Sequence, residues 1–397
     1  MTAALDLVGP NIPKATVLLA SVLPTLATKA VVPYFIYLVP YSQRILVFAT
    51  LSTCGMLAVA LSPENAEPRS ISAKLAGIVL ANISSGAGEV NFLALTHYYG
   101  PFSLAAWGSG TGGAGLIGAG AYALATTALG IAVRTTLLVS ALLPIVMLLG
   151  FFLLLPRGPL KVARGKELED SSVTVDDEHE AEDSETAGLL NQSNGHPQSS
   201  VIRPQHWLRM ALLDLKIKLT RARTLVFPYM MPLFLVYLAE YTINQGVAPT
   251  LLFPLDETPF KHYRAFYPTY GALYQAGVFI SRSSLALFRI RALYKPSFLQ
   301  LLNFAILTAH AMYPFFPNVW FIFAIVFWEG LLGGLVYVST YAAVQAEVPE
   351  DEREFSLGAV AVSDSIGISL AGLLGVGMET ALCKWQVDHG RDWCRKL

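Results

Sequence analysis

The chain has 397 residues, 54% of them hydrophobic and 14% charged, where a soluble domain carries roughly 25% charged residues. Twenty-seven Lys+Arg against 28 Asp+Glu leave a net charge of −1, which excludes the basic surface of a nucleic-acid binder. Three cysteines, Cys54, Cys383 and Cys394, exclude a disulfide scaffold and a four-cysteine zinc site.

Ten of the 28 acids fall between Glu167 and Glu185, so the remainder is poorer still in charge, and mean hydropathy is +0.51. Such a chain is an all-α polytopic membrane protein. A span needs about 20 mostly apolar residues, and ten stretches qualify: 16–40, 44–62, 72–96, 102–128, 134–155, 225–246, 268–288, 298–316, 318–341 and 356–382. The start, MTAALDLVGPNIPK, has neither a basic n-region nor a small-residue cleavage site, so the first span is expected to act as an uncleaved anchor. Pro24, Pro33, Pro144 and Pro232 interrupt spans, which neighbouring helices in a bundle absorb.

The spans divide into five, a polar break and five more. The expected organisation is an N-terminal bundle at 1–155, a cytosolic loop at 156–224, a C-terminal bundle at 225–383 and a tail at 384–397. Within the break, 161–200 is acidic, Ser-rich and nearly free of aromatics, the composition of a disordered segment. At 205–223, Trp207, Leu208, Ala211, Leu212, Leu215 and Leu219 share one helical face, away from Arg209, Lys216, Lys218 and Arg221. Two readings stand: an amphipathic helix in the membrane interface, or a basic N-terminal extension of the next span. Ten Lys and Arg between Arg157 and Arg223 place the break in the cytosol. Both termini then fall on the opposite side, against the pull of Lys384, Arg391, Arg395 and Lys396.

Ionisable groups at membrane depth cost roughly 2.5–3.5 kcal/mol each on insertion scales and point to function by default. Six stand inside expected spans: Lys29, Glu89, Glu240, Arg282, Glu329 and Asp364. Lys29 is either an anion-binding cation or one paired to a carboxylate for packing. Glu89, among Ser84, Ser85, Gly86 and Gly88, suits a polar cavity or a close helix contact. Glu240 and Asn244 share a helical face with Tyr237 one turn earlier, a face with no reason to meet lipid, although Asn also glues helices together. Arg282 follows Tyr274 and Gln275 by about two turns; it either snorkels to the cytosolic surface or grips a phosphate or carboxylate with its fork. Glu329 and Asp364 are candidate proton carriers. No metal-site, nucleophile or P-loop motif accompanies these residues, so no cofactor is expected.

The glycine run at 107–120 lacks the lysine of a phosphate loop. Its i,i+4 small pairs, Gly108/Gly112, Ser109/Gly113 and Ala114/Gly118, predict a close helix crossing. In the acidic loop, Glu185 followed by Leu189 and Leu190 fits a sorting-adaptor motif. The sequons at Asn82, inside a span, and Asn191, on the cytosolic side, are expected to stay unglycosylated. Cys383 and Cys394 can pair if both face an oxidising lumen.

Six blocks resemble the battenin family, that of the protein lost in juvenile Batten disease: NISSGAGEVNFLALTHYY, SGTGGAGLIGA, YLAEYTINQG, ALYQAGVFISRSSL, EGLLGGLVYV and SDSIGISLAGLL. The resemblance spans about 15–383 apart from the acidic loop. It implies a major-facilitator-like two-bundle transporter, here with about ten spans and the family's first span missing. It further implies residence in the vacuolar or lysosomal membrane, a part in vacuolar pH balance, and handling of basic amino acids or export of glycerophosphodiesters. Lys29, Glu89, Glu240, Gln245, Arg282, Glu329 and Asp364 stand inside matching blocks. Ser21 stands where the family carries an acid, so Lys29 lacks an intrahelical partner. The short loop and its dileucine fit a fungal, vacuole-sorted member.

The expected activity is proton-linked alternating access at a midplane site. Lys29 and Arg282 would hold an anionic phosphodiester; Glu240 and Asn244, with Tyr237 and Tyr274, would take its polar or cationic end; Glu89, Gln245 and Gln275 are further candidate substrate-binding residues; Glu329 or Asp364 would carry the proton. The expected partners are the cargo, protons, membrane lipids and a sorting adaptor. The alternatives are a non-transporting scaffold that regulates acidification or trafficking through the loop, and an intramembrane enzyme, for which no catalytic constellation is visible.

Overall fold

A computed structural model describes residues 14–63, 68–160 and 204–396, and among these every regular element is helical. The first half contains α1 (Lys14–Phe35), α2 (Tyr41–Leu61), α3 (Pro68–Leu95), α4 (Pro101–Ala123), α5 (Val133–Ser140) and α6 (Leu143–Leu149). The second contains α7 (Pro204–Leu225), α8 (Met231–Thr242), α9 (Phe266–Ser283), α10 (Tyr294–Met312), α11 (Val319–Glu347), α12 (Glu350–Val360) and α13 (Val362–Asp388). The dileucine motif of Glu185, Leu189 and Leu190, the acidic segment and Asn191 lie outside the described residues.

Each of the ten expected stretches coincides with a helical segment. Among the described residues, seven helical stretches are long and apolar enough to cross a membrane. The other three helices, α4, α9 and α10, have their apolar content diluted by glycine in α4, by Tyr, Gln, Ser and Arg in α9, and by Gln, Asn and His in α10.

Prolines explain much of the local shape. Pro24 and Pro33 lie inside α1, and around Pro24 the Thr25 and Thr28 hydroxyls donate to the carbonyls of Ser21 and Pro24 at 3.0 and 2.6 Å. Such back-bonding satisfies groups that lipid cannot. Pro144 starts α6 and divides one span into α5 and α6, which a π-turn at Gly150–Leu154 completes. A π-turn at Val226–Met230 carries α7 into α8 without a loop. The helix at 205–223 is therefore an extension of the next span. Its described side chains tie it to both halves: Asp214 accepts from the Tyr37 hydroxyl and from Lys218, each at 2.9 Å, and Arg221 pairs with Glu352 at 3.0 Å.

Three apolar clusters hold the bundle. One in the first half centres on Ile45, Phe48 and Phe151, and one in the second on Phe253, Phe266, Tyr270 and Leu307. The third joins the halves, with Val90, Leu93 and Leu104 against Leu233, Tyr337 and Leu357. Two helix pairs carry much of the contact between halves, α4 with α9 and α1 with α13.

Lipid tails are as apolar as leucine, so helices gain from approach only where small residues admit it. At α9–α11, a Cβ on Gly277 would fall on the Phe327 carbonyl, and one on Gly330 on the Tyr274 carbonyl. At α4–α9, a Cβ on Gly108 would meet the Arg282 carbonyl oxygen at 3.0 Å, and one on Gly112 the Cα of Phe279 at 3.0 Å. The glycine run thus makes the expected crossing with its first pair, whereas Gly118 faces open space. Cys383 and Cys394 form a disulfide that ties the last turn to α13, their Cα atoms 5.8 Å apart.

Gly330→Ala should lower stability by about 1–3 kcal/mol through forced separation of α9 and α11. Gly118→Ala should leave it unchanged or slightly raised. Thermal unfolding of the two detergent-solubilised variants, followed by tryptophan fluorescence, checks the contrast; equal melting temperatures would refute the close-packing account.

Candidate functional site

The polar centre begins at Lys29, whose side chain is 2% exposed in the middle of α1. Its ammonium lies 2.7 Å from Glu89 Oε2 on α3, and 2.9 and 3.0 Å from the two oxygens of Asp364 on α13. A primary ammonium has three N–H donors, and all three have an acceptor here. No partner is intrahelical, as the serine at position 21 leads one to expect. Ser365 donates a further bond to Asp364 Oδ1 at 2.9 Å.

The network continues through aromatic hydroxyls. Tyr337 on α11 donates to Glu89 Oε1 at 3.1 Å and accepts from Trp107 Nε1 on α4 at 3.1 Å. The guanidinium of Arg282 lies over the Tyr337 ring, 4.0 Å from its centroid. Its Nη1 donates to Thr111 on α4 at 3.0 Å, and its Nη2 to the Tyr237 hydroxyl on α8 at 2.8 Å. Arg282 therefore points into the bundle and does not snorkel. One continuous chain runs from Asp364 through Lys29, Glu89, Tyr337 and Arg282 to Tyr237.

A second group of acids adjoins it. Glu240, one turn beyond Tyr237, accepts at Oε1 from the Tyr274 hydroxyl, and its Oε2 lies where a Cβ on Gly333 would stand. Glu329, one turn before Gly333 and fully buried, accepts at Oε1 from Asn244 Nδ2 at 3.4 Å. Neither carboxyl has an ion-pair partner among the described residues, and Oε2 of both is buried without a hydrogen bond. The Nε of Arg282 is likewise unpartnered.

The structure thus brings Lys29, Glu89 and Asp364 together, joins Arg282 to Tyr237, Tyr274 to Glu240, and Asn244 to Glu329. Gln245 packs its stem against Gly375 of α13, and Gln275 sets its carbonyl oxygen against Gly115 of α4. Direct contacts link five of the six charges to one another or to tyrosine hydroxyls, and Glu329 meets the Asn244 amide. Sequence reasoning missed Tyr337, Trp107 and Thr111. A signal for Tyr337 existed, since it follows Glu329 by eight residues and Gly333 by four, on the same helical face.

Removing one partner of a buried ion pair costs about 3–5 kcal/mol, because the other charge is left uncompensated. Lys29→Met should therefore destabilise the protein by that order, and adding Asp364→Asn should recover part of the loss. Thermal melts of wild type, both single variants and the double variant decide it; strictly additive losses would mean that Lys29 and Asp364 are not coupled.

The family profile described as "CLN3 protein" matches residues 1–385. Protein btn1 of Aspergillus fumigatus is 56% identical over 408 residues, covering 100% of this chain and 87% of the relative. Protein btn-1 of Neurospora crassa is 53% identical, with 100% and 87% covered. Protein BTN1 of Saccharomyces cerevisiae is 41% identical, with 100% and 93% covered. Full-length similarity at these levels, together with the family profile, shows that the chain belongs to the CLN3, or battenin, family of multi-pass membrane proteins.

Proposed function

We propose that this protein is a vacuolar membrane carrier that works by proton-linked alternating access. The observation that carries the reading is the ionic chain at membrane depth, whose members come from both halves of the molecule: Lys29 and Glu89 from the first, Asp364 and Arg282 from the second. Bridges across the boundary between halves are the contacts that would have to form and break if the halves rocked against each other around a central site.

The residues divide by availability. Lys29 has all its donors engaged, so it acts as the pin between halves and becomes free for an anion only when one bridge opens. Arg282 keeps an unpartnered Nε beside Tyr237 and Tyr337, and it is the first anchor for a phosphate or carboxylate. Glu240 and Glu329, which form no ion pair among the described residues, suit the amino end of a cargo and a proton. Four acids against two cations leave a deficit of positive charge, which fits uptake of protons together with a cationic or zwitterionic molecule. The cargo classes that match are glycerophosphodiesters and basic amino acids, exported from an acidic vacuole at the expense of its pH gradient.

The Cys383–Cys394 disulfide supports the assigned sidedness, since disulfides persist on the oxidising side of a membrane. That side is opposite the cation-rich break, so the C-terminal turn is lumenal and the dileucine at Leu189 and Leu190, with Glu185, is presented to cytosolic adaptors.

Uptake of radiolabelled arginine and glycerophosphocholine into proteoliposomes, with and without an imposed pH gradient, tests the proposal. Wild type should accumulate cargo only with the gradient. Glu329→Gln should lose gradient-driven accumulation while keeping cargo exchange. Arg282→Lys should raise the KM for the phosphodiester about tenfold, the loss of one charge-assisted hydrogen bond. Gradient-driven uptake by Glu329→Gln at the wild-type rate would remove that residue from the proton path. Absence of cargo uptake by wild type, with deletion of 161–200 abolishing vacuolar function in cells, would favour the scaffold.

A further inference from the structure

A second polar feature lies apart from the central chain, at the end of the bundle that carries α7. A cavity of about 420 Å³ opens there between the start of α4, the 3-10 turn after α9, the last turns of α11, and α12. It sits where the α4–α9 crossing ends: Ser109 and Ser283 still touch at 2.9 Å, and the cavity begins below them at Ala105 and Leu285. Its size falls within the roughly 300–1,000 Å³ of small-molecule sites.

The lining is chemically divided. The charged side chains that line it are Arg289 and Arg353, joined by His97; no carboxylate does. Arg353 is fixed by two bonds to the Val348 carbonyl, from Nε at 3.3 Å and Nη2 at 3.2 Å, which leave its Nη1 for a ligand. Arg289 makes no hydrogen bond or ion pair among the described residues. The Nδ1 of His97 is buried and unpartnered. Two acids stand near His97, Glu350 and Glu354, but neither lines the cavity, and Glu354 is occupied by the hydroxyls of Tyr41 and Tyr98. Apart from Gln345, whose Nε2 donates to the Thr96 carbonyl at 3.3 Å, the remaining wall is apolar, and apolar side chains are exposed at its edge: Phe102, which lines it, by 80%, and Leu287 and Phe288, next in the chain between the lining residues Ala286 and Arg289, by 92% and 58%. A soluble anion has no use for such a mouth, whereas a molecule with a phosphate at one end and acyl chains at the other fills both parts.

We propose that this cavity binds the headgroup of an anionic phospholipid from the leaflet on the side of α7, the leaflet that the cation bias assigns to the cytosol. The phosphate lies between Arg289 and Arg353, and the chains leave past Phe102 and Leu287. Basic pockets between membrane helices on the cytosolic side are suited to such headgroups. Because the walls come from α4 on one side and from α9, α11 and α12 on the other, an occupant with different affinity for two relative positions of the halves biases their equilibrium. The binding step itself is independent of what the central site carries.

The test uses the full chain in detergent, with dioctanoyl phosphatidic acid, dioctanoyl phosphatidylcholine and inorganic phosphate as probes. Native mass spectrometry reads bound adducts and a thermal melt reads stabilisation. Phosphatidic acid should be retained and should raise the melting temperature; phosphatidylcholine and inorganic phosphate should do neither at the same concentration. Arg289→Gln should weaken phosphatidic acid roughly tenfold, the worth of one charged contact, with the melt without lipid as the control for folding. Phe102→Ser should weaken the lipid and leave any response to phosphate unchanged. Equal binding of the two lipids, or unaltered phosphatidic acid binding by Arg289→Gln, would overturn the site. A phosphate response equal to that of phosphatidic acid would overturn its assignment to lipid.

Discussion

A charge inside a bilayer has to be neutralised by the protein itself, and in this molecule one ammonium group is the point where that requirement is met. Lys29 draws α1, α3 and α13 to one locus by offering a donor to each acceptor of Glu89 and Asp364 that can reach it. Desolvating three charges at once is expensive, and their attraction offsets that cost only when the geometry is good and the remaining lone pairs are occupied. Here Ser365 and Tyr337 occupy two of them. The tyrosines extend the same solution outward, since a phenol lends a hydroxyl to a carboxylate at one edge and a π face to a guanidinium at the other. Tyr337 does both, for Glu89 and for Arg282.

The centre is asymmetric. On the α1 side every charged atom has a counterpart, whereas Glu240 and Glu329, between α8 and α11, each keep an oxygen without one. A fully satisfied cluster sets where helices sit. An unsatisfied one leaves its helices less firmly tied, because a buried polar atom without a partner costs free energy that a paired one does not. The glycines opposite these acids reinforce the contrast: Gly333 leaves room for the Glu240 carboxyl, so the space was made for that group and not closed by a larger residue.

Much of this was legible in the sequence, and the limits have physical causes. Span positions follow from apolar length, so the ten stretches land on helices, and the three weaker ones are those rich in Gly, Gln, Ser or Asn. The six charges were visible because each interrupts an apolar run. Their pairing was not, for Lys29 and Asp364 are 335 residues apart, and no local pattern selects among four acids. Arg282 stands near the end of α9, where sequence permits an outward or inward course; only the tertiary positions of Tyr237 and Thr111 decide it. Tyr337 and Trp107 lie in helices whose other residues are small or apolar, and an aromatic there looks like core until its hydroxyl or indole N–H is seen to have a partner. The break at Ala361 between α12 and α13 carries neither Pro nor Gly at the joint, so nothing marked it.

The π-turn at Ile243–Val247 has a further effect on this architecture. A turn closed by i→i+5 bonds holds one residue more than an α-helical one, about 100° of rotation. Everything downstream is wound out of phase with everything upstream by that amount. Tyr237 and Glu240 can then be aimed at the charged centre while Val247 and Ala248, at the end of the turn and just after it, are aimed independently into the apolar cluster around Phe266 and Leu307. A single strand of backbone thus answers to two unrelated angular demands, and the surplus residue is what lets neither compromise the other.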